Sequence, residues 1–312
     1  MTRIKKKKFS RVVIHAGTGK TGSTYLQRTF HSGRSKLLDA GSIAYPTCVT
    51  GNWHHGELGT AFCSEPKSYL HNIVLGIQDN DILKIRGQNA LEHTREWINQ
   101  VNHCQTLLFS FEGYIQLDQE AWSRFRDFCL EYSDNVEIVV YCRPPNSLAL
   151  SALSQCIKQG IDTTVGGYYN VIPYKDLLEP LMGIFGKEGI IVKAFHTDAL
   201  LKGDLLFDFL NALNQEKEHQ SLLCYLPNEN DKNASLSREG AKVGTAIISH
   251  LIAQGVLYNQ SWFYHKIGRK LSSIPGSKLR LPPEQLTLVE NLSEAHNVFL
   301  QEEFGVSLQR NN

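Results

Sequence analysis

Arg11-Val-Val-Ile-His-Ala-Gly-Thr-Gly-Lys-Thr-Gly-Ser-Thr-Tyr25 is the stretch on which the reading of this chain turns. Val12, Val13 and Ile14 are contiguous and β-branched, the pattern of a strand buried on both faces. Gly17 and Gly19 end that run, and a helical pattern opens near Gly22, with Leu26 and Phe30 four apart. A strand, a glycine loop and a helix in this order form an anion receptor. The loop turns its N–H groups inward, and the helix N-terminus adds a partial positive charge. Lys20 adds a full charge, and Thr21, Ser23 and Thr24 add hydroxyl donors.

The loop departs from the ATP-binding pattern G-x-x-x-x-G-K-[ST]. Counting back from Gly19-Lys20-Thr21 places the first glycine of that pattern at Ile14, inside the strand. The order Lys20-Thr-Gly-Ser-Thr24 instead resembles the 5′-phosphosulfate loop of sulfotransferases, which use 3′-phosphoadenylyl sulfate (PAPS). The fuller string from His15 to Thr24 looks like the bacterial branch of that family. The resemblance implies a P-loop nucleoside-triphosphatase-like architecture, with Gly19, Lys20, Thr21, Gly22, Ser23 and Thr24 around the donor's 5′ end. It also implies Lys20 on the leaving oxygen and transfer without a metal.

A second segment agrees with the first. Val136-Glu-Ile-Val-Val-Tyr-Cys-Arg-Pro-Pro-Asn-Ser-Leu-Ala-Leu-Ser151 reads as a buried strand, a turn forced by Pro144 and Pro145, and a helix. Arg143 stands at the strand's C-terminal end. Ser147 and Ser151 are four apart and share a helix face beside it. A guanidinium fork next to serine hydroxyls suits a phosphate monoester. Sulfotransferases hold the donor's 3′-phosphate with an arginine here and a serine eight residues on, the spacing of Arg143 and Ser151. The resemblance covers residues 11–45 and 106–160, and extends less specifically to 189–213.

Composition sets bounds on the reading. The chain has 312 residues, 42% of them hydrophobic, which suffices for a sizeable core, and a net charge of +1, which points to no nucleic-acid partner. Residues 1–10, with lysines at 5 to 8, read as a solvated basic tail. The core is expected over 11–213 and a helical part over 214–312, as a single domain. Seven scattered cysteines with no C-x-x-C pair read as free thiols in a reducing compartment. No apolar stretch suggests a signal peptide or membrane span, so a soluble cytoplasmic protein is expected, and the Asn-x-Ser sites at Asn233, Asn259 and Asn291 then carry no glycan.

Further strands are expected at 37–46 (ended by Pro46), at Thr106 to Phe111 and at Ile190 to Phe195. Helices are expected over 68–103, through Trp122, Phe125 and Phe128, over 175–187, along Leu205 to Leu213, from about Ser237, and over 285–303. Residues 47–66 read as a loop over the active face, and 159–174 as either an acceptor lid or a plain surface loop. Strands that are nearly continuous apolar runs, alternating with helices, imply a three-layer α/β fold: a parallel β-sheet flanked by helices, with ligands beyond the strands' C-terminal ends. Lys20, Glu112 and Arg143 all fall there.

Sulfuryl transfer to a hydroxyl or amine needs charge stabilisation, for which Lys20 is the candidate, and a base. Glu112 ends the strand from which, in cytosolic sulfotransferases, a histidine serves as base. His54, His55 and Glu57 follow the second strand, where heparan-modifying members carry a glutamate. The catalytic candidates are therefore Lys20, Glu112 and His55. His15 reads as structural, and Trp262 to His265 as an aromatic cluster of the core or, alternatively, as lining for an acceptor site. The C-terminal R-K-G element of cytosolic members has only imperfect counterparts, Arg238-Glu-Gly240 and Gly268-Arg-Lys270. The expected acceptor is a small molecule, lipid or carbohydrate. A magnesium-ATP kinase and a non-catalytic nucleotide binder are the alternatives, and the first lacks the aspartate that usually closes its second strand motif.

Overall fold

The computed structural model describes residues 7–163, 172–227, 235–257 and 259–308. Five strands form one parallel sheet: β1 (Arg11–Ala16), β2 (Ile43–Ala44), β3 (Thr106–Phe111), β4 (Val136–Cys142) and β5 (Ile190–Ala194), in the order β2-β3-β1-β4-β5. The longer helices are α1 (Ser23–Asp39), α2 (Gly56–Phe62), α3 (Leu70–Leu75), α4 (Asn80–Gln100), α5 (Gln119–Leu130), α6 (Pro145–Lys158), α7 (Tyr174–Phe185) and α8 (Leu205–Ala212). A short α9 (His219–Leu222) precedes α10 (Arg238–Ala253). Two further short turns, α11 (Gln260–Phe263) and α12 (Arg269–Leu271), precede α13 (Pro283–Phe304).

The alternation along each strand makes the layers. Val12, Ile14, Phe109, Ile138 and Val140 pack on one face with Trp122, Phe125 and Phe128 of α5 and Leu178 of α7. Val13, Leu108, Val139 and Tyr141 pack on the other with Leu26 and Phe30 of α1 and Phe209 of α8. Successive residues therefore bury on opposite faces, which is why the strands read as unbroken apolar runs. A third cluster joins Ile157 of α6 to Ile248, Phe263 and Leu271 of the C-terminal helices.

Register brings the site together. Ala16 pairs with Phe111, so the residues that follow, Gly17 and Glu112, leave the sheet side by side. His15 pairs with Val139, which sets the glycine loop against the end of β4, and Thr18 Oγ1 donates to the Tyr141 carbonyl at 2.7 Å.

Several expectations are corrected. The second strand is only Ile43–Ala44, and Leu37 belongs to α1, where it is fully buried. Residues 47–66 are not simply a loop, because α2 lies within them and buries most of its residues. The helical stretch over 68–103 divides at Gly76, whose φ of +69° ends α3, and Asp79 then caps α4 through the N–H groups of Asp81 and Ile82. The basic tail is docked from Lys7 onward: Phe9 is in the core, and the Lys8 ammonium donates to the Asn99 carbonyl at 2.9 Å. On α10 the inward face is Gly240, Ala241, Gly244 and Ile248, whereas Val243 and Ile252 are exposed. Of the aromatic run near 262, Phe263 is core and Trp262 is exposed. Residues 164–171 of the expected 159–174 loop, and Asn233, lie outside the described residues.

The cysteines among the described residues are free thiols. No helix among the described residues is long and apolar enough to cross a membrane.

Candidate active site

The loop between β1 and α1 takes its shape from backbone that most residues avoid. Gly19 and Gly22 have φ of +78° and +77°, and Lys20, a non-glycine residue, has +57°. A side chain at Gly22 would also strike Leu205, its Cβ only 2.3 Å from Cδ2. Gly17 allows a different contact, since a Cβ there would sit 2.7 Å from Ser23 Oγ and 3.0 Å from Glu112 Cβ. Gly17 therefore lets the loop lie directly on the end of β3.

A cavity of about 410 Å³ opens above the loop. Gly19, Lys20, Gly22, Ser23, Thr24, Glu112, Arg143 and Ser151 line it, so eight of the ten expected site residues meet in one place. Thr21 lies beneath, fully buried. Its Oγ1 and the Oγ of Ser23 are buried without a hydrogen-bond partner among the described residues. Ser23 lines the cavity at a helix N-terminus and suits an anionic oxygen there, whereas the expected ligand role of the Thr21 side chain is corrected, because Thr21 is packed under the loop and does not line the cavity.

Lys20 is held at both ends. Its ammonium donates to Gln155 Oε1 at 3.3 Å, and its carbonyl accepts from Arg143 Nη1 at 2.5 Å. Burial pushes the Lys20 pKa down, with Glu112 opposing and Arg143 adding to that shift. Glu112 moves the other way. Burial raises its carboxyl above the ordinary value and the Lys20 charge limits the rise. A cation and a carboxylate of increased basicity thus share the cavity wall.

Arg143 leaves the end of β4 with its Nε on Ser147 Oγ at 2.9 Å and its guanidinium over the Phe195 ring at 5.7 Å. Its backbone N–H donates to the Tyr174 hydroxyl at 2.8 Å. Its bond to the Lys20 carbonyl turns the guanidinium toward the loop.

His55 does not reach this cavity. It is buried, Nδ1 accepts from the Ser110 N–H at 2.9 Å, and Nε2 lies 2.9 Å from the Pro46 carbonyl. Burial pushes its pKa down to about 4. With both ring nitrogens engaged inside the protein, His55 is a strut between β3 and the turn after β2, and the expectation of a catalytic His55 is corrected. His54 also lies off the cavity, packed on Phe111. His15 is structural as expected: fully buried, with Nδ1 2.8 Å from Ser110 Oγ.

Tyr25, Arg28, Ser154, Gln155, Lys158 and Phe195 also line the cavity, and sequence reasoning misses all six. A signal exists for three of them. Continuing the spacing from Ser147 and Ser151 along α6 leads to Ser154, Gln155 and Lys158 on one face. Arg28 stands four residues after Thr24 on α1 and stacks on Trp53, 4.7 Å from the ring centroid. Neither Arg238-Glu-Gly240 nor Gly268-Arg-Lys270 lines the cavity, and Lys278 instead borders the groove that adjoins Arg143. Among the described residues, no group of three or more His, Cys, Asp and Glu is arranged to hold a metal ion.

No protein-family model matches the chain, and no curated protein matches it in sequence. Solved structures similar to it include a sulfotransferase from Alicyclobacillus acidocaldarius, at 13% identity over 83% of this chain and 99% of that one, with a TM-score of 0.43. Another is the sulfotransferase domain of the Synechococcus PCC 7002 olefin synthase, at 10% identity over 93% and 96% of the two chains, with a TM-score of 0.38. Likenesses this loose transfer no activity, and the chemistry is read from the side chains themselves.

Proposed function

We propose that this protein is a sulfotransferase that uses PAPS and an acceptor hydroxyl, or an amine, on a small molecule, lipid or carbohydrate. The observation behind the reading is the convergence of the Lys20–Thr24 loop, Glu112, and the Arg143–Ser151 pair on one cavity. When bound, the donor supplies an activated sulfuryl group, and negative charge develops on the oxygen it leaves. In this reading Gly19, Gly22, Ser23 and Thr24 hold the 5′ end of the donor, and Arg143 with Ser151 holds the 3′-phosphate. Lys20 neutralises charge at the leaving oxygen. Glu112, made more basic by burial, takes the proton of the acceptor.

The test is thermal unfolding with adenosine 3′,5′-bisphosphate (PAP), run beside ATP with magnesium. A ligand that binds only the folded state stabilises by about 2.7 kcal/mol at a hundredfold excess over its dissociation constant. PAP is expected to raise the midpoint of the wild type and to lose that effect in Arg143→Ala. A shift with ATP–magnesium and none with PAP would replace this reading with a kinase.

A further inference from the structure

We propose that Gln155 is the positioning residue for Lys20, fixing where its ammonium points from the neighbouring helix α6. The proposal rests on the sulfotransferase reading for its catalytic meaning, but on geometry for its content. The backbone of Lys20 is left-handed, with φ of +57°, a conformation that its Cβ disfavours. Something outside the loop must hold it there. Arg143 Nη1 does so, donating to the Lys20 carbonyl at 2.5 Å, while Gln155 Oε1 accepts from the ammonium at 3.3 Å and fixes the far end of the side chain; both come from the β4–α6 segment.

Gln155 suits this role chemically. Its amide oxygen accepts from an ammonium and stabilises the charged form without neutralising it. A carboxylate there would pair with Lys20 and compete with a developing anion for the same charge. The other groups around Lys20 are Glu112, which favours its charge, Arg143, which opposes it, the half-buried Cys156 thiol, and Lys158, whose own charge Lys20 disfavours. Those groups act on the Lys20 ammonium through their charge, Arg143 also bonding the Lys20 carbonyl, whereas Gln155 bonds the ammonium itself and leaves α6 one turn after Ser151. The same helix that carries half of the expected 3′-phosphate grip therefore aims the cation expected at the transferred group.

The test reads Lys20 itself. Lysines of the full-length protein are labelled by reductive ¹³C-methylation, the Lys20 resonance is identified by its loss in Lys20→Met, and its titration is followed in Gln155→Glu, Gln155→Leu and Gln155→Asn. Gln155→Glu should move the Lys20 midpoint up by about one unit, because an opposite charge within hydrogen-bond reach acts at that scale. Gln155→Leu should move it down. Turnover should fall in the Glu and Leu variants and be partly restored in Gln155→Asn, while the PAP-induced thermal shift persists in all three. A Lys20 midpoint unchanged in Gln155→Glu, with PAP binding retained, would overturn the proposal. If Gln155→Leu fails to fold, the Glu and Asn variants decide the matter. Absence of PAP binding in the wild type would count against the donor assignment, and the Lys20 titration would still decide the role of Gln155 on its own.

Discussion

At the scale of single residues, the site sets a cation and a carboxylate whose pKa values are pushed toward each other by burial. Lys20 is shifted down and Glu112 up, each limited by the charge of the other. Lys20→Ala should lower kcat by about 10² to 10³, the scale of removing one preorganised charge-stabilising donor. Steady-state kinetics with PAPS would check this, and a loss of only a few-fold would remove Lys20 from the chemistry. Glu112 must be ionised to accept a proton, so activity should fall as pH drops through its raised pKa. The acid limb of the pH–rate profile is therefore expected above the ordinary carboxylate range of about 4.3. In Glu112→Gln that limb should vanish with most of the turnover. A profile that stays flat into the ordinary range would assign the base elsewhere. Arg143 and Glu112 are legible in the sequence because each directly follows a strand, and Lys20 because it stands in a glycine loop after one. Gln155 is not, since a glutamine in mid-helix has no signal until its partner is placed.

At the scale of elements, α6 ties the molecule together. Ser151, Ser154, Gln155 and Lys158 form its cavity face, Ser147 lines the adjoining groove, and Ile157 looks away into the C-terminal cluster. Ser154 also accepts the Leu236 N–H at 3.1 Å, joining the helix to the segment that leads into α10. The end of α6 meets the turn at Tyr264–Gly268 so closely that a Cβ at Gly268 would lie 1.9 Å from the Lys158 carbonyl oxygen. Gly268→Ala should cost about 1–3 kcal/mol of stability, as overpacking against backbone does, measured as a lower denaturation midpoint. A neutral result would mean that this contact relaxes freely. In sequence, the strand, turn and helix leading into α6 are plain from prolines and period. The small helix α2 is hidden by glycines and histidines, because contact with α4 and α5 stabilises it and propensity does not.

At the scale of the whole molecule, acid lability is built into the core around β1 and β3. His15, His54, His55 and His71 are each pushed by burial to about 4. Unfolded histidine binds its proton near 6.5, so between about 6.5 and 4 the unfolded chain holds more protons and stability falls as pH falls. For the almost fully buried His15 and His55 the loss approaches about 3 kcal/mol each by pH 4, at 1.36 kcal/mol per unit. Thermal midpoints should therefore drop steeply from pH 7 to pH 4.5. A constant midpoint over that interval would show that these rings are not buried as neutral groups.

The amino-acid sequence by itself determined every strand but β2, the glycine loop and the place of Arg143, because period, β-branching and proline are local properties that need no partner. It also located the site at one edge, since parallel strands that alternate with helices leave their loops at their C-terminal ends. Tertiary structure alone decided which side chains share the cavity. The register that sets Gly17 beside Glu112, the turn of α6 that carries Gln155 to Lys20, and the burial that withdraws His55 into a strut are contacts between segments far apart in the chain. Such contacts depend on distances through space, and spacing along the chain does not encode them.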